Sequence, residues 1–172
     1  MTRKEYEKKL LQCERNKPKE KQTAQPDKYP QGYFKEKKCK VCGKSFTPKA
    51  PSELSCSEYC RSYAVTEAYY KRNYGITIEE YLDIAERQNY KCAICGRDSF
   101  PMKSSSSGLL VVDHDHNTGV VRGLLCHNCN RALGLLQDNP ETLEVAIAYL
   151  KSVTTIPKGS TTKQLEAVGI ER

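Results

Sequence analysis

The sequence predicts an α+β fold, small and pinned by bound metal, and three observations predict it. Eight of the nine cysteines fall into two quartets. Two short β-type runs joined by a turn lie between the two pairs of the second quartet. Helical segments follow both quartets, and another precedes the second.

Composition explains the need for metal. The 172 residues are 38% hydrophobic, with three Phe, no Trp and a mean hydropathy of −0.70. A core this thin depends on staples, either disulfides or metals. Nine cysteines cannot all pair. The opening residues Met1 to Glu20 are charged throughout, and no stretch reaches the roughly 18 apolar residues of a membrane span. These features predict a cytoplasmic chain with no membrane partner, whose thiols stay reduced and hold metal. A net charge of +7 and a pI near 8.9 suit a polyanionic partner.

Residues 1–37 are expected to form a flexible basic N-terminal arm. Residues 1–38 hold 12 Lys/Arg against 6 Asp/Glu, which suits either plain solvation or contact with phosphates. Cys13 has no neighbouring partner and reads as an unliganded thiol. Residues 38–75 are expected to form a zinc-ribbon-like module and a connecting helix. Cys39-x2-Cys42 precedes Gly43, which suits a knuckle turn, and Cys56-x3-Cys60 follows. The helix runs from Glu58 to Tyr74, capped by Ser57 and stopped by Gly75. Its tyrosines, Tyr59, Tyr63, Tyr69, Tyr70 and Tyr74, read mainly as packing.

Residues 76–153 are expected to form the second domain. Thr77 and Glu80 make a capping box for a helix over 77–89, with Tyr81, Leu82, Ile84 and Ala85 on its apolar face. Cys92-x2-Cys95 opens the central segment, and a polar loop containing Ser104 to Ser107 follows. Leu109–Val112 and Val120–Leu125 read as a β-hairpin around Asn117-Thr118-Gly119. Cys126-x2-Cys129 closes the segment. From Asn130 the pattern turns helical, with Leu133 and Leu136 on one face. Pro140 suits the first position of a further helix, whose face Leu143, Ala146, Ile147 and Leu150 is expected to pack on the core. Residues 154–172 read as a C-terminal tail with a short helical pattern over 163–168.

Zn²⁺ favours four thiolates in a tetrahedron, supplied by pairs of Cys-x2-Cys type. Cys92, Cys95, Cys126 and Cys129 fit one structural zinc. Cys39, Cys42, Cys56 and Cys60 fit a second. His127 lies inside a knuckle, but four cysteines leave it to the surface.

The run Asp113-His114-Asp115-His116 follows a strand. Alternation would turn Asp113 and Asp115 one way and His114 and His116 the other. A solvated loop is the plain alternative. Phosphodiester hydrolysis, however, needs a hard cation and a base for water. Asp is a good Mg²⁺ ligand, and neutral His is a good base near pH 7. Asn130 begins the helix after the second knuckle, so its amide oxygen could face the same ion.

Val111-Val112-Asp113-His114-Asp115-His116-Asn117-Thr118-Gly119, followed by Val121-Arg122-Gly123-Leu124-Leu125-Cys126-His127-Asn128-Cys129-Asn130, closely resembles the phage recombination endonuclease VII family. That family belongs to the HNH, or ββα-metal, nucleases. Tyr74-Gly75-Ile76-Thr77, Glu79-Glu80-Tyr81, Cys92-Ala93-Ile94-Cys95-Gly96 and Ala132-Leu133-Gly134-Leu135-Leu136 extend the likeness over about residues 70–150. The resemblance implies a zinc-stapled ββα-metal nuclease core with flanking helices. It implies that Asp113 and Asn130 bind a catalytic Mg²⁺ (or Mn²⁺) and that His114 is the general base. His116 would assist at the phosphate or the metal, and Asp115 would orient its neighbours. DNA is the implied partner, a phage or prophage the implied source, and a 5′-phosphate with a 3′-hydroxyl the implied products.

Leu133 departs from the glutamate that the family's junction-resolving member carries there, and the long dimerising helices of that member have no clear counterpart. Branched-DNA resolution, nicking in packaging or homing, and restriction therefore stay open as roles, as do a homodimer and phage DNA-processing partners. The rival class is a non-catalytic zinc-containing DNA-binding protein. Asp113, His114 and Asn130 together argue against it, since binding alone needs none of them.

Overall fold

The computed structural model describes residues 1–12, 34–98 and 109–152. Cys13, the serine run 104–107, most of the N-terminal arm and the tail 154–172 lie outside them. The described elements are, in order, α1 (Arg3–Gln12), β1 (Lys37–Lys38), β2 (Ser45–Phe46), α2 (Glu58–Tyr74), α3 (Ile78–Arg87), β3 (Val111–His114), β4 (Val121–Leu125), α4 (His127–Leu135) and α5 (Pro140–Ser152). Two compact units result, residues 1–131 and 132–172. Helices α1, α2 and α3 contribute buried residues to the first unit.

Local chemistry sets the helix ends. The Ser57 hydroxyl accepts from the Cys60 amide at 3.2 Å and starts α2. Gly75 ends it in the left-handed region, at φ 70°, with its amide returned to the Lys71 carbonyl. Thr77 and Glu80 form the expected capping box at the start of α3. Glu67 of α2 accepts from the Ile78 amide at 2.8 Å, tying the middle of α2 to the start of α3.

The N-terminal segment departs from expectation. Residues Arg3–Gln12 form a helix, and Tyr6, Leu10 and Leu11 on its inner face are buried. Arg3 pairs with Glu79, Asp83 and Glu86, three acids on one face of α3, at 2.6, 2.7 and 3.0 Å. A ten-residue helix is marginal alone, and tertiary packing supplies its stability. Burying a leucine such as Leu10 contributes about 1.5–3 kcal/mol. Lysines on the outer face hide this amphipathic stripe in a composition count.

The core of the first unit is aromatic. Tyr6, Thr66, Ile78, Tyr81, Leu82 and Leu124 are almost wholly enclosed. Tyr70 and Tyr81 pack with ring centres 4.8 Å apart. Against this core lies the antiparallel hairpin of β3 and β4, with Val111 opposite Leu125 and Val112 opposite Leu124. The strand expected to end at Val112 runs on through Asp113 and His114, and a register irregularity falls between those two residues. Gln88, just after α3, acts as a short surrogate strand for β4. Its amide oxygen accepts from Leu124 N at 2.9 Å, and its amide nitrogen donates to Leu124 O at 2.8 Å. A Cβ at Gly123 would stand 3.1 Å from that amide oxygen, so a larger residue there would press on Gln88.

In the second unit a tight turn joins α4 to α5, with Gln137 and Asp138 at positive φ. Asn139 caps α5 by accepting from the Thr142 amide at 2.6 Å, and Pro140 is its first residue, as expected. No residue of α5 is buried. Ile147 and Leu150 are exposed on its surface.

Candidate active site and metal centres

Two knuckles of the same design bring the cysteines together. Gly43 N donates to Cys39 O, and Gly96 N donates to Cys92 O, both at 2.9 Å. Both glycines have positive φ, which turns the chain tightly after each Cys-x2-Cys pair. Cys39, Cys42, Cys56 and Cys60 place their sulfurs within 4.8 Å of one another, and so do Cys92, Cys95, Cys126 and Cys129. Tetrahedral Zn–S bonds of about 2.3 Å require sulfurs about 3.8 Å apart. The separations Cys42–Cys56, Cys56–Cys60 and Cys95–Cys126 are 3.4, 3.7 and 3.8 Å.

Charge supports the same fit. The Cys42 backbone amide holds the Cys39 thiol down at about 6, and the Arg97 backbone amide holds Cys95 at about 6. Cys56 is pushed up to about 12 by its hydrogen bond with Cys42, and burial with neighbouring sulfurs raises Cys129. Thiols this close cannot all ionise without a cation between them. Both quartets could therefore bind zinc.

Asp113 is buried at the end of β3. Arg122 of β4 donates to both its oxygens, from Nε at 2.7 Å and from Nη2 at 3.0 Å. This bidentate pair fixes the carboxylate in one orientation. His114 is half-buried, with the Tyr74 ring edge-on at 5.6 Å and the His116 ring at 4.8 Å. The two histidine rings thus lie together, although His116 follows the end of β3. Asp115 does something else: its carboxylate accepts from the amides of Asn117 and Thr118, each at 2.8 Å. Those two bonds hold its pKa below the usual aspartate value. They make Asp115 the residue that closes the hairpin turn.

Asn130 lies in α4 directly after Cys129, and its amide bonds to Cys126 O at 3.1 Å. His127 is exposed at the start of α4. Sequence reasoning missed Arg122 and Tyr74 as neighbours of Asp113 and His114. Arg122 could have been found as the nearest basic residue across the hairpin. Nothing local marks Tyr74, which arrives from another helix.

A sequence model described as "Recombination endonuclease VII" matches residues 67–152. The Gene 59 protein of Mycobacterium phage D29 is 40% identical over 128 residues, covering 68% of this chain and 74% of that protein. The Gene 59 protein of Mycobacterium phage L5 is 39% identical over 127 residues, covering 67% and 74%. A crystal structure described as the beta-beta-alpha-Me type II restriction endonuclease Hpy99I aligns at 28% identity and a TM-score of 0.31, covering 70% of this chain and 66% of that one. With half of its length under the family model and phage relatives near 40% identity, the chain belongs to the recombination endonuclease VII family of nucleases.

Proposed function

We propose that this chain is a Mg²⁺-dependent DNA endonuclease in which Asp113 and Asn130 hold the ion and His114 activates water. The observation that carries this reading is the placement of Asp113 and His114 side by side at the end of β3. They stand in a β3–β4–α4 succession whose β4–α4 junction supplies Cys126 and Cys129. A bound Mg²⁺ would supply charge neutralisation at the phosphate and the leaving oxygen.

The rest of the work falls to the chain. Arg122 fixes the Asp113 carboxylate, and each oxygen keeps a second lone pair with which it could hold an ion. Tyr74 packs against one side of the His114 ring, and His116 lies near it, which limits the directions in which His114 can accept a proton. His114 takes a proton from water, and His116 assists at the phosphate. The two cysteine quartets hold structural zinc. The phage relatives support a phage-encoded enzyme, and the family's description as a recombination endonuclease supports branched DNA as the preferred form.

The test incubates zinc-loaded protein with supercoiled plasmid and with a four-way junction, in Mg²⁺ or in EDTA. Cleavage in Mg²⁺ alone, faster on the junction, is expected. Cleavage unaffected by EDTA would remove the catalytic ion, and equal rates on both substrates would remove the branched preference.

A further inference from the structure

We propose that helix α1, which lies outside the family-matched segment, positions the nuclease site through a closed hydrogen-bond ring at Leu110. This rests on the reading that Asp113 and His114 carry the chemistry. Leu110 N donates to the Tyr6 hydroxyl at 3.1 Å. The Tyr81 hydroxyl donates to Leu110 O at 2.8 Å. The two hydroxyls are 3.1 Å apart. Tyr81 spends its single proton on the Leu110 carbonyl, so Tyr6 is the donor between them. Every donor in the ring is used, and all three residues are buried.

The ring sits at the entry to β3, three residues before Asp113 and four before His114. A strand advances about 3.3 Å per residue, so the anchor is about 10 Å from the metal-ligand candidate. Gln88 grips Leu124 on the other strand. The irregular step between Asp113 and His114 is therefore held from both strands. Register matters here, because a slip of one residue sends every side chain to the opposite face.

A second path runs through rings. Tyr6 stacks on Tyr81, Tyr81 meets Tyr70, Tyr70 meets Tyr74, and Tyr74 meets His114. Arg3 clamps α1 to α3 through Glu79, Asp83 and Glu86. Tyr6 is thus a positioning residue that acts through the backbone of β3 and touches no substrate.

The test uses the full zinc-loaded chain. Tyr6→Phe keeps the ring and removes the hydroxyl, and Lys8→Ala on the exposed face of α1 is the control. Three quantities are read: kcat and KM for Mn²⁺-supported plasmid nicking, the Mn²⁺ concentration at half-maximal rate, and hydrogen exchange of the Leu110 amide. Tyr6→Phe is expected to exchange faster at Leu110, to need more Mn²⁺ and to lose about tenfold to a hundredfold in kcat, with KM for DNA unchanged. Lys8→Ala should match wild type. A Tyr6→Phe chain that melts earlier but keeps its kcat and Mn²⁺ requirement would reduce α1 to packing and overturn the proposal. If Tyr6→Phe does not fold, Arg3→Ala loosens α1 while sparing the ring, and the same criteria apply to it. Asp113→Ala is run alongside. Wild-type cleavage by that variant overturns the site assignment, and this proposal with it. Loss of cleavage in Asp113→Ala with none in Tyr6→Phe overturns this proposal alone.

Discussion

Arg122 holds both carboxylate oxygens of Asp113 across the β3–β4 hairpin, at 2.7 and 3.0 Å. Asp113 is buried, whereas about a third of the Arg122 side chain meets solvent. The pair is therefore unequal. Removing Arg122 strands a carboxylate among β-hairpin residues, and removing Asp113 leaves a cation that can still reach water. Arg122→Ala is expected to cost about 1–3 kcal/mol, the usual penalty for a buried acceptor left unpaired. Asp113→Ala should cost less stability and more activity. Urea melts paired with plasmid-nicking rates test this ranking, and a larger stability loss in Asp113→Ala would reverse the assignment.

His114→Ala is expected to lower the cleavage rate by about 10²–10⁴-fold, the contribution of a placed general base, while folding and DNA binding persist. His127→Ala should cut normally, because its side chain is exposed. Tyr74 separates packing from chemistry: Tyr74→Phe preserves the edge-on ring and should stay active, whereas Tyr74→Ala frees the His114 ring and should slow cleavage. Gel shifts and nicking rates on protein of equal zinc content decide the matter. Wild-type cleavage by His114→Ala with a dead His127→Ala would mean that the wrong histidine has been chosen.

Much of this arrangement was legible in the sequence, and for local reasons. Ser57, Gly75, Thr77, Glu80 and Pro140 mark helix ends by chemistry that acts within four residues. The cysteine spacing gives both quartets, since a knuckle is also a local object. What was hidden depends on distant partners. Tyr6 meets Leu110 across 104 positions of chain, and Arg3 meets Glu86 across 83. A short charged helix looks like a solvated arm until the surface that buries it is known. Arg122 stands within the motif, but its partner is not legible there, because the register that puts it beside Asp113 passes through a strand irregularity. The fate of Asp115 turned on the same detail, since it lies in the turn and not in the strand.

Glu80 gives the fold a local acid sensitivity. Hydrogen bonds from the Thr77 amide and hydroxyl hold its carboxylate below the ordinary value of 4.5. A pKa depressed in the folded state stabilises the chain above the unfolded value, and that stability is lost as pH falls through the folded value. The Glu80 contribution is therefore full above about pH 5 and declines below 4.5. Glu80→Gln keeps a capping box without the charge. Melting temperature followed from pH 7 to pH 3 should fall less steeply in Glu80→Gln than in wild type. Parallel curves would mean that the box contributes nothing through its charge.

Two zinc ions per chain are expected, and the two quartets should respond differently to loss of a ligand. Structural zinc contributes about 10–16 kcal/mol of apparent binding energy in small modules. The second quartet joins the Cys92 knuckle to the start of α4, so it ties the hairpin between two chain segments. Cys95→Ser or Cys129→Ser should lose one zinc, unfold the β3–β4 hairpin and abolish cleavage together. The first quartet holds β1 and β2 against the start of α2. Cys42→Ser should also lose one zinc but leave the hairpin protected, because Tyr6, Tyr81 and Gln88 grip β3 and β4 without it. Elemental analysis combined with amide exchange at Leu110 and Leu124 separates the cases. Folded, active protein without zinc would remove both metal assignments. Loss of hairpin protection in Cys42→Ser would show that the first quartet supports the site after all, by way of α2 and the Tyr70–Tyr81 contact.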